Sequence, residues 1–234
     1  MNMRILPILL AFITISYNEV IDFTPTASAQ VAPSKTEIDR YKGLHKAAYD
    51  GDSKKIELLI NQGVNLEFRD AAGRTAIHIA GYASQKAALE ILAKAGADLD
   101  ALEHQFYDVV TIASVDNDYD LLDRALNLGA NPGNITSPYE GTALIAAAHL
   151  GHYKIVTRLI EAGAPLDHVN NLGWTALLEA IILGNGGDNH IATVKALLNG
   201  GANPDISDND GFTPLQLAQK YNFDAIIEVF RAYE

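Results

Sequence analysis

Seven residues near the C-terminal end, GNGGDNH at 184–190, bring Gly, Asn, Asp and His together in a chain built mostly of short apolar runs. Glycines beside amides can cradle a phosphate, and Asp with His can ligate a metal, so chemistry is sought here first. The phosphate cradle fails on composition. No Lys follows to complete G-x-x-x-x-G-K-[ST], Asn189 stands where G-x-G-x-x-G needs its third glycine, and no strand precedes the segment. As a metal site it offers Asp188, His190 and the amides of Asn185 and Asn189, a thin ligand set. The plain alternative is an extended turn that adds contact surface.

The rest of the chain holds no stronger constellation. The His residues at 45, 78, 104, 149, 152, 168 and 190 form neither H-E-x-x-H nor an i, i+4 pair. His149 and His152 are three apart but straddle Gly151 and a turn. No Ser lies in G-x-S-x-G, and with no Cys there is neither a thiol nucleophile nor a thiolate metal site. Asp208-Asn209-Asp210-Gly211 has a calcium-loop look, but Gly211 at the sixth position would put a ligand at Ile206, which has no oxygen to offer. Asn134-Ile135-Thr136 is a formal glycosylation sequon that counts only in a eukaryotic host. No catalytic residue, metal or cofactor is assigned, and the chain reads as non-enzymatic.

Charge narrows the partners. The 234 residues carry a net −12 with no Lys/Arg cluster to reverse it locally, which disfavours nucleic acid and anionic membrane surfaces. Residues 1–29 have the layout of a cleavable signal peptide, with Arg4, an apolar stretch from Ile5 to Ile15, and Ala27-Ser28-Ala29. That stretch is too short for a bilayer, which takes about 20 apolar residues. Cleavage after Ala29 removes Arg4, Glu19 and Asp22 and moves the net charge from −12 to −11. The expectation is an exported protein with no stable membrane association once the signal is removed.

What must position any site is a repeat. DAAGRTAIHIA from Asp70, NNLGWTALLEA from Asn170 and DNDGFTPLQLA from Asp208 share a turn residue, a Gly three places on, then a small-plus-apolar run ending in Ala. Between them recur LLINQGVNL, ILAKAGADL, ALNLGANP, LIEAGAPLD and LLNGGANPD. The pattern resembles the ankyrin repeat, D-x-x-G-x-T-P-L-H-x-A-A-x-x-G followed by a second helix and G-A-D/N. On that register a short linker, 30–36, precedes six units at 37–69, 70–102, 103–136, 137–169, 170–207 and 208–234. The resemblance implies an all-α solenoid of helix-turn-helix units joined by hairpin loops, with the exported bacterial members pointing to the periplasm and an extracellular location as the alternative.

The local physics agrees with the pattern. Thr75, Thr142, Thr175 and Thr213 stand where first helices start and can take orphan N–H groups, and Pro214 follows at a position that needs no N–H. Gly63, Gly96, Gly129, Gly163 and Gly201 close the second helices. Departures are also visible. Phe106 and Asp108 replace the Gly and Thr of the third turn, so that turn is expected to be altered, and Gly141 comes one place late. After the first helices, Ser84, Asn117 and Asn222 replace glycine, while Gly184 aligns with Gly151 ahead of the extra residues. Those extra residues therefore lie between the two helices of the fifth unit. Glu179 sits within a first helix where an apolar residue is more usual.

The candidate binding residues form a column beside the hairpins: Tyr41, Arg74, Tyr107, Trp174 and Phe212, with Tyr139 standing in for Gly141. Tyr49, Tyr82, His149 and Tyr221 add a second row at the first-helix exits. In the ankyrin fold this is the concave, partner-facing side, and exposed Trp, Tyr and Arg are frequent anchors of protein interfaces. The expected function is binding of a protein partner with a basic, partly apolar patch. The alternatives are a small-ligand or metal-binding protein using 184–190, and a secreted effector acting in a host cell.

Overall fold

A computed structural model describes residues 31–233, so the signal-peptide expectation for 1–29 lies outside the described residues. Among the described residues are thirteen α-helices. A short α1 (Lys35–Arg40) precedes six pairs: α2 (Gly43–Asp50) with α3 (Ser53–Asn61), α4 (Ala76–Tyr82) with α5 (Lys86–Lys94), and α6 (Val109–Val115) with α7 (Tyr119–Asn127). The remaining pairs are α8 (Ala143–His149) with α9 (Tyr153–Glu161), α10 (Ala176–Ile182) with α11 (Asp188–Asn199), and α12 (Pro214–Lys220) with α13 (Asp224–Tyr233). First helices pack on first helices (α2, α4, α6, α8, α10, α12) and second helices on second helices, giving two parallel rows.

The two rows bury themselves differently. A first helix is enclosed by its neighbours on both sides and by its own partner, so α4 buries Ala76 through Gly81 without a break. The small residues Ala80, Ala113, Ala147, Ala180 and Ala218 are fully buried there, which lets the helices approach closely. Second helices bury one stripe only: Ala88, Leu89 and Leu92 in α5, and Ile155, Val156 and Leu159 in α9. That is the i, i+1, i+4 spacing of an amphipathic helix with one face in water. No pair could bury its stripe without the next, so the stack is the folding unit.

Caps set where each helix begins and ends. Oγ1 of Thr142 and of Thr175 each accepts an N–H three residues on at 3.3 Å, and Thr213 Oγ1 does so at 3.4 Å. Gly63, Gly96, Gly129, Gly163 and Gly201 follow the second helices with φ between +77° and +101°. At the first-helix exits Gly51, Ser84, Asn117, Gly151 and Asn222 all take φ between +54° and +68°. The fifth unit differs from expectation here. Gly186, at φ +67°, makes that turn in place of Gly184. Gly184 serves packing instead, because a Cβ on it would meet the Ala180 carbonyl oxygen at 2.0 Å.

Two further expectations need correction. The 184–190 segment is not a loop throughout. Gly187 is the N-cap of α11, and Asp188, Asn189 and His190 form its first turn, so much of the insertion lengthens a helix. Helix backbone there satisfies carbonyls that a loop would leave to water. The third turn is also not altered in shape. Glu103 N donates to Tyr107 O at 3.1 Å and Phe106 N to Glu103 O at 2.9 Å, matching Asp70 with Arg74 and Gly73. Glu103 Oε1 takes the role of the turn Asp by accepting from Gln105 N and Tyr107 N, while Asp108 caps α6 through Thr111 N at 2.7 Å. Phe106 adopts φ +65°, a glycine conformation.

Candidate functional site

The hairpin column expected as an exposed surface is only partly exposed. Arg74 is 2% exposed: its guanidinium bonds Asp70 at 2.9 Å and pairs with Glu37 from α1. An arginine so enclosed fastens the N-terminal helix to the stack and is not an open anchor. Tyr107 is likewise buried, and burial pushes its phenol up to about 12. Tyr41 is half-buried and donates its hydroxyl to Asp70 Oδ2 at 2.8 Å. Trp174, Tyr49 and Tyr41 pack partly against the apolar core. Tyr82 is partly covered, and its hydroxyl is buried without a hydrogen-bond partner. Tyr139 is half-buried in the fourth hairpin, where its carbonyl accepts from Asn171 N at 3.0 Å. Phe212 is open, with the Lys220 ammonium 4.6 Å from its ring centre.

A different set is exposed. Each of the five hairpins between units shows water one large apolar side chain: Phe68, Phe106, Ile135, Val169 and Phe212, between 38% and 63% exposed. Four of them were missed because they do not share one repeat position. Only their common location on hairpin segments could have flagged them.

The histidines are structural ties. His45 Nε2 lies 2.9 Å from Arg74 O, and His78 Nε2 lies 3.2 Å from Tyr107 O, each linking a first helix to the next hairpin. His78 Nδ1 accepts from Thr75 N at 3.1 Å, which puts its proton on Nε2, and burial holds it down to about 4. At the first-helix exits Gln85 Nε2 donates to Tyr49 O, His152 Nδ1 lies 3.0 Å from Ser114 O, and His190 Nε2 lies 3.0 Å from His149 O. Asn185 Oδ1 holds His190 Nδ1 at 3.1 Å. Both ring nitrogens of His190 are thus engaged, and Asp188, Asn185 and Asn189 face water. Among the described residues no three His, Cys, Asp or Glu side chains gather as a metal would require.

One pair stands apart. Glu179 in α10 is 5% exposed; Oε1 accepts from Asn170 at 3.0 Å, and Oε2 is buried without a hydrogen bond. His149 Nδ1 in α8 approaches Oε2 to 3.6 Å, an ion pair only if both are charged. Burial opposes that on both sides, raising the Glu179 carboxyl to about 7 and lowering the His149 ring to about 4. The neighbouring His190 and His152 press His149 further in the same direction. Between those values the neutral form prevails, with a protonated carboxyl facing an unprotonated nitrogen.

The stacked pairs, the glycine-closed second helices and the hairpins that histidines tie together match a known profile. The profile for three consecutive ankyrin repeats covers residues 16–103 and 110–187, and that for a single ankyrin repeat covers 172–209. The chain belongs to the ankyrin-repeat family. The ankyrin-repeat protein YahD of Escherichia coli K12 is 35% identical over 188 residues, which span 80% of this chain and 92% of YahD. A crystal structure of an ankyrin-repeat domain from Acinetobacter baumannii AYE is 41% identical, covers 81% of this chain and 96% of its own, and superposes with a TM-score of 0.77. The ankyrin-repeat domain of Bcl-3, a member of the IkappaB family, is 25% identical over 82% of this chain and 86% of its own, with a TM-score of 0.73. Ankyrin-repeat domains are in general protein–protein interaction modules and typically non-enzymatic scaffolds. Within that fold, Phe106 and the Glu179–His149 pair mark where this ankyrin chain departs from its own pattern.

Proposed function

We propose that this protein is an exported, non-enzymatic interaction module that binds a protein partner along the hairpin edge and the adjoining first-helix row. The observation that carries the reading is the set of five exposed apolar side chains, one on each hairpin between units. A single exposed apolar side chain is ordinary, but one on every hairpin along the same edge makes a row that a partner can cover. His45 and His78 tie the first two hairpins, and Ser137 N to Phe106 O, Asn171 N to Tyr139 O and Asn209 Nδ2 to Leu172 O join each hairpin from the second onward to the next. A partner therefore meets a surface already ordered, and little entropy is lost on docking. A net charge of −12 favours a partner whose patch is basic around its apolar contacts. The signal-like layout of residues 1–29 supports export to a bacterial periplasm.

The test compares the full chain with an Ile135→Ser/Val169→Ser variant, both immobilised and exposed to extract from the source cells. Retention of one protein by the first and its loss from the second, with equal helicity, supports the hairpin edge. Equal retention places binding elsewhere. Fractionation with N-terminal sequencing checks export, which a cytoplasmic chain still carrying residues 1–29 would rule out.

A further inference from the structure

We infer that Phe106 is the anchor of this interface, its ring entering an apolar pocket on a partner protein rimmed by Lys or Arg. The inference rests on the interaction reading above and deepens it. At the same turn position Gly73, Gly173 and Gly211 take φ of +79°, +83° and +83°. Phe106 takes +65° there, a region that side chains with a Cβ enter only at a cost. The ring gains little inside the fold, since it is 54% exposed and lies outside the apolar core.

The work of the turn is done by other atoms. Phe106 contributes backbone only, donating N–H to Glu103 O at 2.9 Å and accepting from Ser137 N at 3.0 Å. Glycine could do both without strain. A second departure accompanies the first. A Cβ on Gly73 would strike the His104 ring at 2.4 Å, and one on Gly173 would strike Asn209 at 2.4 Å. The hairpin that follows Phe106 instead begins with the small Ser137 and carries one extra residue, with Ser137 at φ +68° and Glu140 at φ +55°. An unusual residue in a turn of ordinary shape and a lengthened hairpin bonded to it thus occur together, and strain held for little folding return points to function.

The rim chemistry of the partner follows from charge. The hairpin segments 64–73, 97–106, 131–140, 164–173 and 202–211 together hold ten Asp or Glu and one Arg. Arg74, just beyond the first segment, is buried and already paired. Phe106's own segment holds Asp98, Asp100 and Glu103, the next holds Glu140, and Arg69 of the preceding one donates its guanidinium to Gly73 O and Leu102 O. A partner surface that meets Phe106 therefore also meets net negative charge, which selects basic residues around the pocket.

The experiment uses Phe106→Gly and Phe106→Trp in the full chain. Thermal melting of Phe106→Gly is expected to give a Tm higher by about 1–4 °C, because strain is relieved against a smaller entropic cost of glycine. The protein retained by the wild-type chain is then purified and titrated against all three. Phe106→Gly is expected to weaken binding by about 30-fold or more and Phe106→Trp by much less, with affinity falling as salt rises. A lower Tm for Phe106→Gly would show that the ring supports the fold and overturns the inference. Equal affinity for a partner overturns it as well, while leaving the interaction reading intact. A wild-type chain that retains no protein sinks that reading and this inference with it.

Discussion

Replacing Glu179 by Gln tests whether a carboxyl group is stored neutral between the fourth and fifth units. Gln keeps the size of the side chain and its acceptor for Asn170, and it removes the titration. The carboxyl rises from 4.5 to about 7 on burial. At about 1.36 kcal/mol per unit of pKa, that separation corresponds to roughly 3 kcal/mol of stability. The sign follows from the direction of the shift. The folded state holds the proton more tightly than the unfolded state, so the full benefit is present below pH 4.5. It is lost as pH rises through 7, where a charge must stay buried with one hydrogen bond. His149, whose ring is lowered to about 4, acts in the opposite sense across much of the same range. The wild-type curve alone is therefore nearly flat between pH 4.5 and 6.5, and the informative quantity is the difference between Glu179→Gln and wild type. Urea unfolding at pH 4 and pH 8 should show almost no difference at the lower pH. At the higher pH the variant should be more stable by about 3 kcal/mol. A difference that is the same at both pH values, or a variant weaker at pH 8, would refute the reasoning and mean that Glu179 is ionised and well satisfied.

Three further outcomes are expected. Arg74→Ala should cost about 3–5 kcal/mol in urea unfolding, because it leaves Asp70 partly buried without its partner and frees α1, where a surface arginine would cost under 1. Gly186→Ala should lower the Tm by several degrees, since a Cβ there is strained at φ +67° and meets the Phe223 ring at 2.6 Å. An unchanged Tm would mean that the turn after α10 is soft. Millimolar zinc or calcium should leave the Tm unmoved, because both His190 ring nitrogens are covered, by Asn185 Oδ1 and His149 O, and no cluster of three ligating side chains lies among the described residues. A rise abolished by Asp188→Ala would restore the metal-binding alternative.

Most of the architecture was legible because it repeats. The Thr caps, the glycines after the second helices and the apolar stripes recur at nearly constant spacing, so each unit checks the others. The positions that misled are those where the surroundings break the repeat. Arg74 occupies a hairpin column like Trp174, but α1 and the Val31 carbonyl cover it, and no other unit has a counterpart to α1. Counting residues located the extra segment of the fifth unit. It did not show that Asp188–His190 would continue α11 toward its N-terminus, or that His190 would reach back to α8 as His152 reaches α6. The third turn looked broken by composition, yet Glu103 and Asp108 supply the same hydrogen bonds as the usual residues, so different side chains give one backbone shape.

The central claim is that a protein partner lies across the hairpin edge. Amide hydrogen exchange of the full chain, alone and with its retained partner, tests it most directly. The account predicts slowed exchange in the hairpin segments around Phe68, Phe106, Ile135, Val169 and Phe212, with the outer faces of α5, α7 and α9 unchanged. Protection confined to those second helices, or to 184–190, would contradict it.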